Sequence, residues 1–78
     1  SLINRRDNME QIKVGVIGYG YWGPNLTRNF YELPISNLVA VADLSEDRLN
    51  TAKTRYPQLI VKQDYKELFS SLHIPLMI

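Results

Sequence analysis

Two observations predict an α/β fold with a parallel sheet for this chain. Short runs rich in β-branched residues alternate with segments whose apolar residues lie three or four apart, and proline or glycine separates them. The predicted order of elements is β-α-β-α-β-α-β. Right-handed crossovers between parallel strands then make 3-2-1-4 the simplest order of the strands, which is the first half of a doubly wound sheet.

The first strand and helix are predicted on either side of a glycine-rich turn. Residues 12–17 (IKVGVI) are nearly continuously apolar, as in a strand covered on both faces. Pro24 fits the first turn of the following helix, where its missing amide proton has no partner, and Pro34 is expected to end that helix. The buried stripe of the helix is predicted from apolar residues four, four and three apart: Trp22, Leu26, Phe30 and Leu33.

The remaining elements follow the same alternation. Residues 37–42 (NLVAVA) are predicted as the second strand, 58–62 as a short third strand and 74–78 as the start of a fourth. In the second helix, Ser45 is the expected N-cap and Pro57 the stop. Its expected buried face is Leu49, Ala52 and Tyr56. Asp64 and Glu67 are interpreted as a capping box that opens a third helix with apolar residues Leu68, Phe69 and Leu72.

The segment Gly18–Gly23 (GYGYWG) is a G-x-G-x-x-G motif with a strand before it and a helix after it. Gly18 would make the tight turn out of the strand, Gly20 would let the backbone approach a pyrophosphate, and Gly23 would allow the helix to pack closely on the sheet. The amides of Tyr21 and Trp22, at the positive end of the helix, are expected to bind the phosphates. This context predicts a Rossmann-type dinucleotide site.

Asp43 completes the predicted site, 20 residues after Gly23 at the end of the second strand. Its carboxylate would accept hydrogen bonds from the adenosine ribose hydroxyls and would repel a 2′-phosphate, so NAD is favoured over NADP. Two alternatives stay open. The glycines and Asp43 can form a purely structural turn and helix cap, and Arg48 or Ser45 can contribute to a phosphate site that accepts NADP.

Other candidate residues are weaker. His73 is interpreted as a solvated loop histidine. Tyr19, Tyr21 and Trp22 either line a nicotinamide or substrate pocket or pack, with Trp22 on the apolar face of the helix. Asn25 can reach a cofactor, although solvent exposure is the simpler interpretation for it and for Arg28. No catalytic acid, base or nucleophile and no metal ligands are predicted.

Composition excludes several classes of function. The chain has 78 residues, a net charge of +1, 45% hydrophobic residues and no cysteine, so disulfides and thiolate metal sites are excluded. No basic stripe indicates a nucleic-acid partner. All apolar runs are far shorter than the about 18–20 residues that span a membrane, and no secretory signal is recognisable, so a cytoplasmic location is predicted.

The sequence around the glycine motif resembles a known family. The stretch 12–26 (IKVGVIGYGYWGPNL), the VAD at 41–43 before an EDRL helix start, and the DYKEL at 64–68 resemble the N-terminal domain of the Gfo/Idh/MocA oxidoreductases. The resemblance extends over nearly all of residues 9–78. It implies that Gly18, Gly20, Gly23 and Asp43, with the amides of Tyr21 and Trp22, bind an NAD cofactor. It also implies hydride transfer to or from an alcohol carbon of a sugar, cyclitol or nucleotide sugar.

The family's later motifs are missing from this sequence. An Ala-Thr-Pro-type loop, a Glu-Lys-Pro motif with a catalytic lysine, and a substrate domain are all absent, so we expect the chain to be inactive by itself. Residues 1–8 are interpreted as an N-terminal extension, either cloned or natural, and residues 9–78 as a partial NAD-binding domain. The open side of the sheet predicts either self-association of the chain or contact with additional sequence of a longer parent protein. A non-catalytic nucleotide-binding or interaction module is the alternative.

Overall fold

Four parallel strands form one sheet in the computed structural model, which describes residues 11–78. The strands are β1 (Ile12–Ile17), β2 (Ser36–Ala42), β3 (Ile60–Lys62) and β4 (Leu76–Met77). The helices are α1 (Gly23–Glu32), α2 (Glu46–Arg55) and α3 (Lys66–Ser70). The strand order β3-β2-β1-β4 confirms the predicted fold class and topology. The predicted boundary between residues 1–8 and 9–78 lies outside the described residues.

The two faces of the sheet carry separate apolar clusters. Val14 pairs with Leu38 and Gly15 pairs with Ala40, so Val39 is an extra residue in β2 that shifts the register. The larger cluster packs under α1 and α2 and contains Val14, Val16, Tyr19, Leu38, Val41, Leu49, Ala52, Tyr56 and Leu59. The smaller cluster, on the opposite face, contains Ala40, Ala42, Leu68 and Ile74. Both faces of β1 and β2 are therefore buried, as the continuous apolar sequence of these strands predicts.

The predicted buried stripe of α1 is wrong in three of its four residues. Trp22 is 69% exposed and Leu26 and Leu33 are 37% and 45% exposed, while Phe30 packs against the larger cluster. The buried residues of α1 are Gly23 and Thr27. Residues 23, 27 and 30 form a stripe that shares Phe30 with the predicted one and is centred about 70° around the helix from it. Contact of Gly23 with the turn before it sets this rotation.

The later elements follow the prediction with shifted boundaries. Ser45 is the N-cap of α2, because its hydroxyl oxygen accepts a hydrogen bond from the Arg48 amide at 3.3 Å, and the predicted face of Leu49, Ala52 and Tyr56 is buried. The capping box predicted for α3 is wrong. The Asp64 side chain accepts from the Lys66 amide at 2.9 Å, and the helix begins at Lys66 without a side-chain cap.

Strands β3 and β4 are shorter than predicted. A turn closed by a bond from the Leu59 amide to the Tyr56 carbonyl, at 3.0 Å, delays the start of β3 to Ile60. Ile74 is buried in the smaller cluster, and Pro75 directly precedes the two residues of β4. A proline at this place is compatible with an edge strand, because the missing amide falls before the strand begins.

Candidate functional site

The turn from β1 into α1 has a conformation that only glycine adopts easily. Gly18 has a φ of +94°, in the left-handed region, and no atom lies within 4 Å of the position that a Cβ would occupy. Its amide donates to the Ala42 carbonyl at 2.6 Å. The turn is therefore fixed to the end of β2, where Asp43 follows.

The other two glycines of the motif differ in what surrounds them. A Cβ at Gly23 would overlap the carbonyl oxygen of Gly18 and lie 3.0 Å from its carbonyl carbon. This is the close approach of helix and strand that the sequence predicts. A Cβ at Gly20 would meet only the flexible end of the Arg48 side chain, at 3.1 Å from Nη1. The nearest neighbour on the Cβ side of Gly20 is thus a movable side chain and not the backbone.

The N-terminus of α1 has amide donors that nothing in the described chain uses. Trp22 is the N-cap residue, but no side chain caps the helix and the first turn contains no acidic residue. The amides of Gly20, Tyr21 and Trp22 have no hydrogen-bond partner among residues 11–78. Unpaired amides at the positive end of a helix attract anions, and phosphate is the usual one.

Asp43 links the two loops at the carboxyl ends of β1 and β2. The side chain is almost fully buried, with Oδ2 accepting from the Tyr19 amide at 2.7 Å and Oδ1 accepting from the Ser45 amide at 2.8 Å. An ionised carboxylate has about four acceptor sites, so about two remain after these bonds. Asp43 therefore fixes both loops, a structural use of this residue that the sequence left open, and it keeps capacity for a ligand.

The protein environment keeps Asp43 ionised. Burial raises the pKa of its carboxyl group, but the hydrogen bonds from the Tyr19 and Ser45 amides and the positive charge of Arg48 outweigh burial, so the pKa lies below its ordinary value. At neutral pH the side chain is therefore an acceptor only. A negative, acceptor-only group at this place suits hydroxyl donors and disfavours a second anion close by.

An open cleft of about 400 Å³ lies at the carboxyl edge of the sheet. It brings Gly18 and Asp43 together with residues that the sequence analysis did not single out. Gln63 closes one side, where its amide nitrogen donates to the Leu44 carbonyl at 3.2 Å. The strand topology would have indicated these residues, because the ends of parallel strands share one edge. The lining consists of Ile17, Gly18, Ala42, Asp43, Leu44, Arg48, Gln63 and Tyr65.

The aromatic residues of the motif separate into two environments. Tyr19 is buried in the larger cluster, where burial and the neighbouring Tyr56 raise the pKa of its hydroxyl group. Tyr21 and Trp22 are 87% and 69% exposed and form an edge-to-face pair with ring centroids 5.0 Å apart. Tyr19 therefore packs in the core, whereas the prediction that Trp22 packs on the buried face of α1 is wrong.

The remaining candidates lie away from the cleft or in solvent. His73 is exposed in a left-handed conformation, with a φ of 52°, beside Lys13 and Pro75 at the amino edge of the sheet. Asn25 and Arg28 are exposed on α1. Between residues 11 and 78, no three histidine or acidic side chains lie together as metal ligands would. No helix in the same range is long and apolar enough to cross a membrane.

The fold and the geometry of the turn define an α/β unit of the Rossmann type. Its structure is similar to the crystal structure of GenD2 from gentamicin A biosynthesis in complex with NAD. The two structures have a TM-score of 0.78, and the two sequences are 22% identical. The match covers 88% of this chain and 20% of the GenD2 chain, so this chain spans about a fifth of that protein's length. No family model and no curated protein matches the sequence. The likeness establishes the fold.

Proposed function

We propose that this chain is the NAD-binding unit of an oxidoreductase. The observation that carries the proposal is the meeting of three features at one edge of the sheet: the glycine turn with its unpaired amides, the ionised Asp43, and the cleft that Gly18 and Asp43 line. Gly18, Gly20 and Gly23 shape the backbone, and the amides of Tyr21 and Trp22 bind the pyrophosphate. The similarity to the NAD complex of GenD2 supports this assignment.

The proposed role of Asp43 is to hold the adenosine ribose. The two acceptor sites left on its carboxylate match the two hydroxyl donors of the ribose diol. A 2′-phosphate would bring negative charge against a buried anion, so NAD is preferred over NADP. The apolar part of the lining, which includes Leu44 and Tyr65, would accommodate the adenine ring.

The reaction we propose for the whole protein rests on the resemblance to the Gfo/Idh/MocA oxidoreductases. The bound nicotinamide would accept or supply a hydride, and the partner substrate would be an alcohol carbon of a sugar, cyclitol or nucleotide sugar. In this proposal the chain contributes cofactor binding in the cytoplasm and is inactive alone. The exposed residues Ile17, Leu76 and Ile78 beside β4 support a further contact there, either self-association or additional sequence.

The proposal is tested by titrating the chain with NADH and separately with NADPH while following the emission of Trp22. This residue is the lone tryptophan and lies at the N-terminus of α1, so bound NADH should quench it by energy transfer. We expect saturable quenching that is weaker with NADPH. Asp43→Asn should weaken NADH binding by about ten- to a hundredfold, as expected for lost hydrogen bonds to a charged group.

The matched control is Asp47→Asn, which removes the same charge from an exposed position in the first turn of α2. Circular dichroism of each variant checks that the fold is intact. A second candidate function follows from the two amides that Asp43 already binds, since they favour a purely architectural carboxylate in a non-catalytic interaction module. A folded chain that gives no quenching with either nucleotide would support that module and overturn the proposal.

A further inference from the structure

The side chain of Arg48 lies across the glycine turn of the proposed site. A Cβ at Gly20 would be 3.1 Å from Nη1, 3.3 Å from Cζ and 3.6 Å from Nη2 of Arg48. The whole guanidinium group therefore occupies the side of Gly20 that the missing side chain leaves open. The Nη1 atom is also 3.9 Å from Oδ2 of Asp43. Arg48 thus stands between the phosphate turn and the carboxylate.

Little holds this guanidinium in place in the described part of the chain. The side chain is 57% exposed and donates no hydrogen bond to residues 11–78. An exposed ion pair at this distance contributes little, and both Asp43 oxygens already accept backbone amides. The backbone of Arg48 is, in contrast, fixed by its bond to the Ser45 cap. The fixed backbone of Arg48 therefore carries a guanidinium group with five N–H donors, and none of them makes a hydrogen bond within these residues.

We propose that Arg48 binds the pyrophosphate of the dinucleotide at Gly20, an inference that rests on the proposed function. A pyrophosphate that approaches the turn also approaches the buried negative charge of Asp43. The guanidinium lies between the two and offsets this repulsion. It also presents two parallel donors that fit phosphate oxygens better than an ammonium group does. Asp43 can then serve the ribose without weakening the binding of the phosphates.

The inference is distinguished from other roles of Arg48 by ligands that differ in phosphate content. Adenosine, ADP, NADH and NADPH are titrated into 15N-labelled wild type, Arg48→Gln, Arg48→Lys and Arg28→Gln, and dissociation constants are taken from amide shifts. Arg28 is exposed on α1 and controls for the loss of one positive charge. We expect Arg48→Gln to weaken ADP and NADH by about tenfold and adenosine by less than twofold. Arg48→Lys should recover part of the loss, and Arg28→Gln should change neither.

Three results would overturn the inference while the proposed function stands. Unchanged ADP and NADH binding in Arg48→Gln would mean that Arg48 does not contact the phosphates. Equal weakening of adenosine and ADP would place its effect on the nucleoside or on the fold. Weakening of NADPH alone would make it a contact of the 2′-phosphate. Wild-type protein that binds neither NADH nor ADP would instead remove the proposed function, and this inference with it.

Discussion

The replacement Gly23→Ala tests the close contact that positions α1. The new Cβ would overlap the carbonyl oxygen of Gly18, a backbone atom in a turn that is hydrogen-bonded to the end of β2. Relief of such an overlap requires movement of the helix or the turn, and overpacking of this kind costs about 1–3 kcal/mol. Alanine recovers up to about 1 kcal/mol through its higher helix propensity, and less at the first position of a helix. We expect a net loss of about 1–2 kcal/mol.

The assay for this variant is urea denaturation followed by circular dichroism. With a slope of about 1 kcal/mol per molar urea, the midpoint should fall by about 1–2 M. The matched control is Gly20→Ala, where the new Cβ meets only the movable end of Arg48, so the midpoint should stay within about 0.5 M of wild type. Equal stability of Gly23→Ala and Gly20→Ala would show that this contact does not set the rotation of α1.

Three further changes test the turn, the carboxylate and the smaller cluster. Gly18→Ala should lose about 1–2 kcal/mol in urea denaturation through strain alone, because φ is +94° and no atom opposes the new Cβ; unchanged stability would contradict the strain. The pKa of Asp43 is lower in the folded than in the unfolded chain, so its contribution is present at neutral pH and is lost as the pH falls below about 4. Wild type should therefore lose more stability than Asp43→Asn between about pH 7 and pH 3 in urea titrations, and equal losses would argue against the shift. Leu68 is fully buried, so Leu68→Ala should lower the free energy of unfolding by about 2–5 kcal/mol in thermal denaturation. Phe69 is half-exposed, so Phe69→Ala should lower it by less than about 1 kcal/mol. The reverse order would contradict the packing of α3.

The order of elements was predictable because it depends on local patterns. Alternation of apolar runs with helical spacing, with prolines between them, is enough to define a parallel sheet, and crossover handedness then gives the strand order. The rotation of α1 was not predictable from apolar spacing. The stripe through Trp22 and Leu26 is more apolar than the one through Gly23 and Thr27, yet the second is buried. A glycine contact between backbones outweighed side-chain hydrophobicity there.

The candidate site was predictable in its backbone and not in its side-chain contacts. Glycine spacing and the acidic residue after β2 are sequence features, and the ends of parallel strands bring them together. The bond from the Tyr19 amide to Asp43 joins residues 24 apart in the sequence, and the place of Arg48 over Gly20 depends on how the first turn of α2 lies against the turn after β1. No local pattern encodes such contacts, so only the structure shows that Asp43 is already partly engaged.

The amide signals of the 15N-labelled chain can show directly where NAD binds. We expect the largest shifts on adding NAD to fall on residues 18–23 and on Leu44 and Ser45, at the carboxyl edge of the sheet. Residues 11–13 and His73, beside the second cleft at the amino edge, serve as the internal control. Shifts confined to that amino edge, or a folded chain whose signals do not move, would contradict the claim that this turn and Asp43 form a dinucleotide site.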